Sequence, residues 1–385
     1  MSKALPPLPQ HRTLAEWLCR EEKEVWRWFE EKEKTETDAE QVRLSLLRDT
    51  YRLDAEAHPE VFREIGAACA ALGIQAKVFA YQAQDATTPN AAVCHLPGEA
   101  HVIFSGPILS LLSTDELRGV IGHELAHHHL WQMEDGTFYL ADRILHSAAS
   151  HPGAEPAHAQ SARVWRLATE LFADRGAFLA TNSLETAVAG LVKTTTGLAQ
   201  VSAKSYLAQA EEIFSKSKPK TDQLTHPETF IRARALQLWV EEDESLEETI
   251  AKMLDFDEGL DDLTLVQQAE LAALTRRFLA HLLEPTWFQT DAVLAHARLF
   301  FREFQPTADA SIIAELAERP TSHREYFAQL MLDFCAVDPD LDDPPISRCL
   351  EFARDLECLG AFEKLLTKEL KMKAKDLKKL KEALV

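Results

Sequence analysis

The chain has 385 residues, of which 46% are hydrophobic and 27% charged, the balance of an ordinary globular protein long enough for two domains. A formal net charge of -21 argues against nucleic acid as a partner and favours solubility. No stretch approaches 18 uninterrupted apolar residues, residues 1–10 lack a charged-then-apolar leader, and the six cysteines are scattered without a CxxC pair, so a cytoplasmic protein with reduced thiols and no transmembrane segment is expected.

In chain order, residues 14–72 read as helical, and Trp17, Trp26, Trp28 and Phe29 are expected to pack on the body of the protein. Residues 77–81 read as the first strand of a small sheet. Residues 91–95 and 101–105 are β-rich runs joined by Leu96-Pro97-Gly98-Glu99-Ala100, the pattern of a hairpin. Helices dominate from Pro107 onward. Ser113-Thr114-Asp115-Glu116 is a capping box with acid in the first turn, which starts one of them.

That helix carries Gly122-His123-Glu124-Leu125-Ala126-His127. His123 and His127, at i and i+4, lie one turn apart on one face, about 6 Å along the axis, so both imidazoles can point at one cation. Glu124 sits about 100° further round, a position suited to a general base acting on water. A third ligand is needed, and the best candidate lies on a second predicted helix, residues 162–180, in Glu170-Leu171-Phe172-Ala173-Asp174-Arg175. With carboxylates again at i and i+4, one can bind metal while the other accepts a hydrogen bond from a ligand histidine. Rival ligands are His146, His151, His158, Asp135 and Asp142. The three histidines fall in a Gly/Pro/Ala/His stretch, residues 146–159, that reads as a mobile loop able to cap the metal as a latch.

Residues 241–262 concentrate acid and mark a domain boundary. The remainder has no strand signal and several amphipathic stretches, including residues 266–283 and 292–304. Asp255-Phe256-Asp257-Glu258-Gly259 fails the EF-hand template. Leu332-Asp333-Phe334-Cys335, with Asp338, Asp340, Asp342 and Asp343 after it, weakly resembles the acidic helix-loop motif of TerB-like modules, with Pro339, Pro344 and Pro345 as departures. Eight lysines in residues 364–381 read as the solvated face of a docked terminal helix.

Five stretches in order resemble the HtpX-like and CAAX-prenyl-protease-like zinc metallopeptidases, family forty-eight, which are gluzincins. They are Pro89-Asn90-Ala91-Ala92, then Leu96-Pro97-Gly98 running into Val102-Ile103-Phe104-Ser105-Gly106, the His123 motif, Glu170 to Asp174, and Thr225-His226-Pro227 with Arg232. Ala233 departs from the usual larger aliphatic residue after that arginine. The resemblance implies His123, His127 and Glu170 as ligands of one Zn2+ per chain, Glu124 as base, and Asp174 and Arg232 behind the ligands. In the same stretches, an exposed strand beside the zinc helix can take a peptide backbone by strand addition, with Asn90 and Ala91 on the substrate side at the mouth of the cleft; Asn90 is equally an ordinary turn residue after Pro89. His226 is suited to donate to an oxyanion or equally to reach the metal as a fourth ligand, the lesser alternative being an ordinary helix-entry residue before Pro227.

The expected fold is a mainly helical α+β protein: a zincin-like core with a small sheet beside the active helix, and an all-α C-terminal domain. The expected divisions are a helical segment at 1–50 packing on the core, a metallopeptidase domain at 51–240 and the helical domain at 245–385. The expected function is peptide-bond hydrolysis on a protein or peptide substrate, with the helical domain as a possible surface for a protein partner. The alternative is a catalytically silent zinc-binding scaffold.

Overall fold

The structure, a computed structural model, describes residues 4–33, 36–85, 87–216, 229–254 and 259–382. The fold is mainly helical α+β. The chain divides into two compact units, residues 1–256 and 257–385. No helix among the described residues is long and apolar enough to cross a membrane.

Among the described residues the first unit holds one four-stranded sheet: β1 (Thr50–Arg52), β2 (Lys77–Ala83), β3 (Asn90–Leu96) and β4 (Glu99–Ser105), in the order β1-β2-β4-β3. β1 is a correction, since those residues fall in the stretch read as helical. The hairpin runs longer than its two β-rich runs, with Leu96 opposite Glu99 and Asn90 opposite Ser105. Pro97 and Gly98 make the turn, and Gly98 takes φ 75, a conformation that glycine adopts without strain. β2 pairs in parallel with β4, which leaves β3 as an edge strand lying against the helix Thr114–Gln132.

That helix, the histidine helix, starts as its capping box predicts. Ser113 accepts from the Glu116 amide, and Glu116 accepts from the Ser113 amide at 2.8 Å. Lys193 Nζ, 2.8 Å from Glu116, ties the same turn to the helix Leu184–Thr196. Against the histidine helix lies a 26-residue carboxylate helix, Pro156–Thr181. The two backbones meet at paired small residues. A Cβ on Gly176 would stand 2.4 Å from Ala126 Cβ and 2.9 Å from the Gly122 carbonyl oxygen, and one on Gly122 would stand 2.5 Å from Ala180 Cβ. Only glycine permits that approach.

The stretch read as a mobile loop is mostly helical. His146 lies within the helix Thr137–Ser150 and His158 within the first turn of the carboxylate helix, which leaves residues 151–155 as the connection. His151 and His158 accept from nearby backbone amides, Gly153 at 3.0 Å and Glu155 at 3.2 Å. The break is confined to the residues around Pro152 and Gly153, and the alanine-rich flanks on both sides are helical.

The helix Pro9–Glu21 is part of this core, burying Leu8, Leu14, Ala15 and Leu18. His11, fully buried, packs edge-on against Trp165, Phe172 and Phe138. Its Nδ1 accepts from the Leu8 amide at 3.2 Å, so Nε2–H donates to Thr169 Oγ1 at 3.1 Å, and that hydroxyl donates to the Trp165 carbonyl. Burial, helped by Arg175 and His127, pushes the His11 pKa down to about 3, so the ring is neutral. Of the aromatics expected to pack, Phe29 is buried but Trp28 is 55% exposed.

The second unit, as far as it is described, is helical, around a core of Phe278, Phe288, Phe304, Phe327, Phe334 and Phe362. The 292–304 stretch stops as helix at Phe300. The terminal lysines decorate two helices, Leu359–Lys368 and Ala374–Glu382, the second docked through Leu377 and Leu380. The acidic turn is a short 3-10 segment in which Asp338 caps the Asp340 amide, and among the described residues its carboxylates form no metal-binding group. Residues 255–258 lie outside the described residues.

The crossing has a measurable sign. In a helix Gly→Ala normally stabilises by about 0.5–1 kcal/mol, the gain expected at the exposed Gly66, where nothing lies within 4 Å of an added Cβ. Gly176→Ala should instead destabilise by about 1–3 kcal/mol through overpacking. Thermal unfolding of the two variants beside wild type should move in opposite directions.

Candidate active site

The helix crossing sets the side chains that follow each glycine against one another. His123 Nε2 and His127 Nε2 are 3.2 Å apart, Glu170 Oε2 is 3.6 Å from His123 Nε2, and Glu170 Oε1 is 3.8 Å from His127 Nε2. These three residues form the one group of histidine, cysteine and carboxylate ligand atoms, among the described residues, close enough to share a metal ion. Ligands about 2.05 Å from a tetrahedral ion stand about 3.3 Å apart, so the spacing fits a zinc ion with only small closure. Two imidazole nitrogens and one carboxylate oxygen are also a donor set that zinc accepts.

The histidine tautomer supports the fit. His123 Nδ1 lies 3.1 Å from Asp174 Oδ1, so Nδ1–H donates to the carboxylate and the Nε2 lone pair faces the cluster. Asp174 is in turn gripped by Arg232, from the helix Thr229–Glu241: Nε to Oδ2 at 2.8 Å and Nη2 to Oδ1 at 2.6 Å. A third arm, Nη1, reaches Glu170 Oε2 at 2.9 Å. Arg232 thus orients both carboxylates of the i, i+4 pair, a fork geometry that lysine lacks. His127 has no such support. Its ring stacks on Trp131 at 5.7 Å, and its buried Nδ1 finds no partner among the described residues.

The electrostatics follow from burial set against these partners. Burial alone would raise Asp174, but the Arg232 charge and the hydrogen bonds from Arg232 and His123 hold it far below the ordinary range. Glu170 is also lowered, Arg232 and the two histidines outweighing its desolvation. For Glu124 the balance is reversed. Desolvation pushes its carboxyl up to about 7 against the pull of His123 and Arg232. Burial takes His127 down to about 4, whereas His123 is raised because its bond to Asp174 offsets burial.

All of these side chains border one cavity of about 600 Å³. Asn90 and Ala91, at the start of edge strand β3, line it together with His123, Glu124, His127 and Glu170. Asp142, a rival ligand at the sequence level, also lines it, but accepts from the Trp165 indole at 2.9 Å and stands outside the metal group. Neither His146, His151 nor His158 lines this cavity, and Asp135 does not. His226 lies outside the described residues. Sequence reasoning missed Trp131, Thr169 and Arg166, and the apolar end built by Val120, Ala187 and Leu191. Trp131 had a usable signal, being one turn beyond His127 on the same face.

Arg232→Met should strand two buried carboxylates and cost about 3–5 kcal/mol in denaturant unfolding at pH 7. Because both carboxylates titrate below their unfolded values of about 4, the stabilisation they carry is present above about pH 5 and lost as pH falls. The gap between wild type and variant should therefore narrow at pH 3. A gap equal at both pH values would show that the loss is one of packing.

Residues 55–240 match the model of peptidase family M48. Comparison with curated proteins and with solved structures returns no match. The helices that bring His123, His127, Glu170 and Arg232 together all lie within the matched segment, and it is this segment that is similar to peptidase family M48.

Proposed function

We propose that this chain is a zinc-dependent metalloendopeptidase with a zincin-like core. The observation that carries the reading is the convergence of His123 Nε2, His127 Nε2 and Glu170 on one point, with Glu124 on the wall of the same cavity. His123, His127 and Glu170 hold one zinc ion. When bound, it supplies Lewis acidity to a peptide carbonyl and lowers the pKa of water to about 7.

The chain's own residues do the rest. Glu124 Oε takes a proton from the attacking water and returns it to the leaving amine, and a carboxyl pushed up to about 7 is poised for both transfers near neutral pH. Asp174 keeps the His123 lone pair directed inward, and Arg232 keeps Asp174 ionised. Edge strand β3 offers unpaired backbone groups along Asn90 and Ala91, which would pair with an extended peptide and present its carbonyl to Glu124.

The test combines metal content with turnover. Wild type should carry one equivalent of zinc by elemental analysis and cleave unfolded casein in a chelator-sensitive manner. Glu124→Gln should keep the zinc and lose cleavage by at least about a thousandfold, as expected when a general base is removed from a metal site. Glu170→Ala should lose or weaken zinc. Stoichiometric zinc with no cleavage of any substrate by wild type would support the silent scaffold instead, and absence of zinc would sink both.

A further inference from the structure

The cavity continues past the ligand cluster. Beyond Trp131 and Thr169 it reaches Asp142 and Arg166, and these two residues also line a second cavity of about 340 Å³ between the helix Thr137–Ser150 and the carboxylate helix. The second cavity has Leu145 and Trp165 in its apolar wall, with the exposed His146 and Ser150 among its polar lining. The two spaces therefore adjoin, with Asp142 and Arg166 in the walls of both.

Arg166 is the notable group there. It precedes Glu170 by four residues and Asp174 by eight, so it shares their helix face about 6 Å along the axis from Glu170. Glu170 and Asp174 are claimed by Arg232, and among the described residues no carboxylate makes an ion pair with Arg166. Asp142, in the same shared wall, accepts from the Trp165 indole through Oδ1 at 2.9 Å. Burial raises its pKa against the Trp165 hydrogen bond and the pull of His146, Arg143 and Arg166, so Asp142 faces Arg166 electrostatically without closing an ion pair with it. In a chain of net charge -21, an exposed guanidinium in a cavity wall that makes no ion pair among the described residues is suited to receive an anion from outside.

We propose that this side pocket takes a carboxylate of the substrate, with Arg166 as its counter-charge, so that the chain prefers peptides bearing an acidic group close to the scissile bond. The 6 Å step corresponds to about two residues of extended chain. The preference rests on the peptidase reading for the bond that is cut, but not for the binding itself. The carboxylate is that of an Asp or Glu side chain or a free C-terminus.

Binding tests this without turnover. Zinc-loaded Glu124→Gln protein is titrated with fluorescein-labelled decapeptides in which one Glu is walked through a Gln/Ala background, each made with a free and an amidated C-terminus. Glu in one register, or two adjacent ones, should tighten binding about five- to tenfold over Gln. In the background of that variant, Arg166→Gln should abolish the difference and Arg166→Glu should reverse it in favour of Lys. Gain confined to free C-termini would identify the terminal carboxylate as the ligand. Equal binding of Glu and Gln peptides in every register, or a preference that survives Arg166→Gln, would overturn the proposal. Wild-type protein is offered the tightest peptide in parallel. Failure to cleave it with the preference intact would refute the peptidase reading while leaving the pocket in place.

Discussion

The approach of two helix backbones at Gly122 and Gly176 is the constraint on which the rest of the first unit depends. Each glycine is followed four residues later by an alanine, Ala126 and Ala180, so a ladder of small residues runs down both contacting faces. Larger residues would hold the axes apart, and the ligand atoms of the two helices would no longer fall within about 4 Å of one another. The chemistry of the site is thus a product of packing. Histidines and carboxylates supply the donor atoms, and the absence of side chains beside them sets the distance.

Such a crossing concentrates charge in a dry place. Glu170, Asp174 and Arg232 are all largely buried, and Glu124 is buried beside them. Burial of this kind is costly unless every charge is matched. Arg232 serves two carboxylates at once, so with Glu124 ionised the group is short of positive charge by the amount that a divalent ion carries. Desolvation is the main reason Glu124 is raised, and the neighbouring Glu170 and Asp174 add to it against His123 and Arg232, so its proton also relieves part of that excess.

The sequence discloses local spacing well and long-range assembly poorly. His123 and His127, Glu170 and Asp174, the Ser113 cap and the Pro97-Gly98 hairpin were legible because each depends on residues within one or two turns of chain. The stretch 146–159 was misread because glycine, proline and histidine outweighed the helix-forming alanines around His146. Thr50–Arg52 became a strand because β2 offered it a partner, which its own residues do not announce. The apolar end at Val120, Ala187 and Leu191, and the pairing of Asp142 with Arg166 in one wall, join side chains from different helices, so no periodicity could have brought them together. The glycine ladder was readable in principle as small residues at i and i+4 on both helices.

The helix Pro9–Glu21 lies ahead of the segment matched to the family, yet its imidazole completes the wall behind Thr169, the residue adjoining Glu170. A fragment cut to residues 55–240 would open an apolar socket at Phe138, Trp165 and Phe172 and leave the Thr169 hydroxyl to water. The cooperative folding unit is therefore larger than the stretch by which kinship is detected. Divergence in the first twenty residues would be constrained by the interior of the catalytic body rather than by its surface.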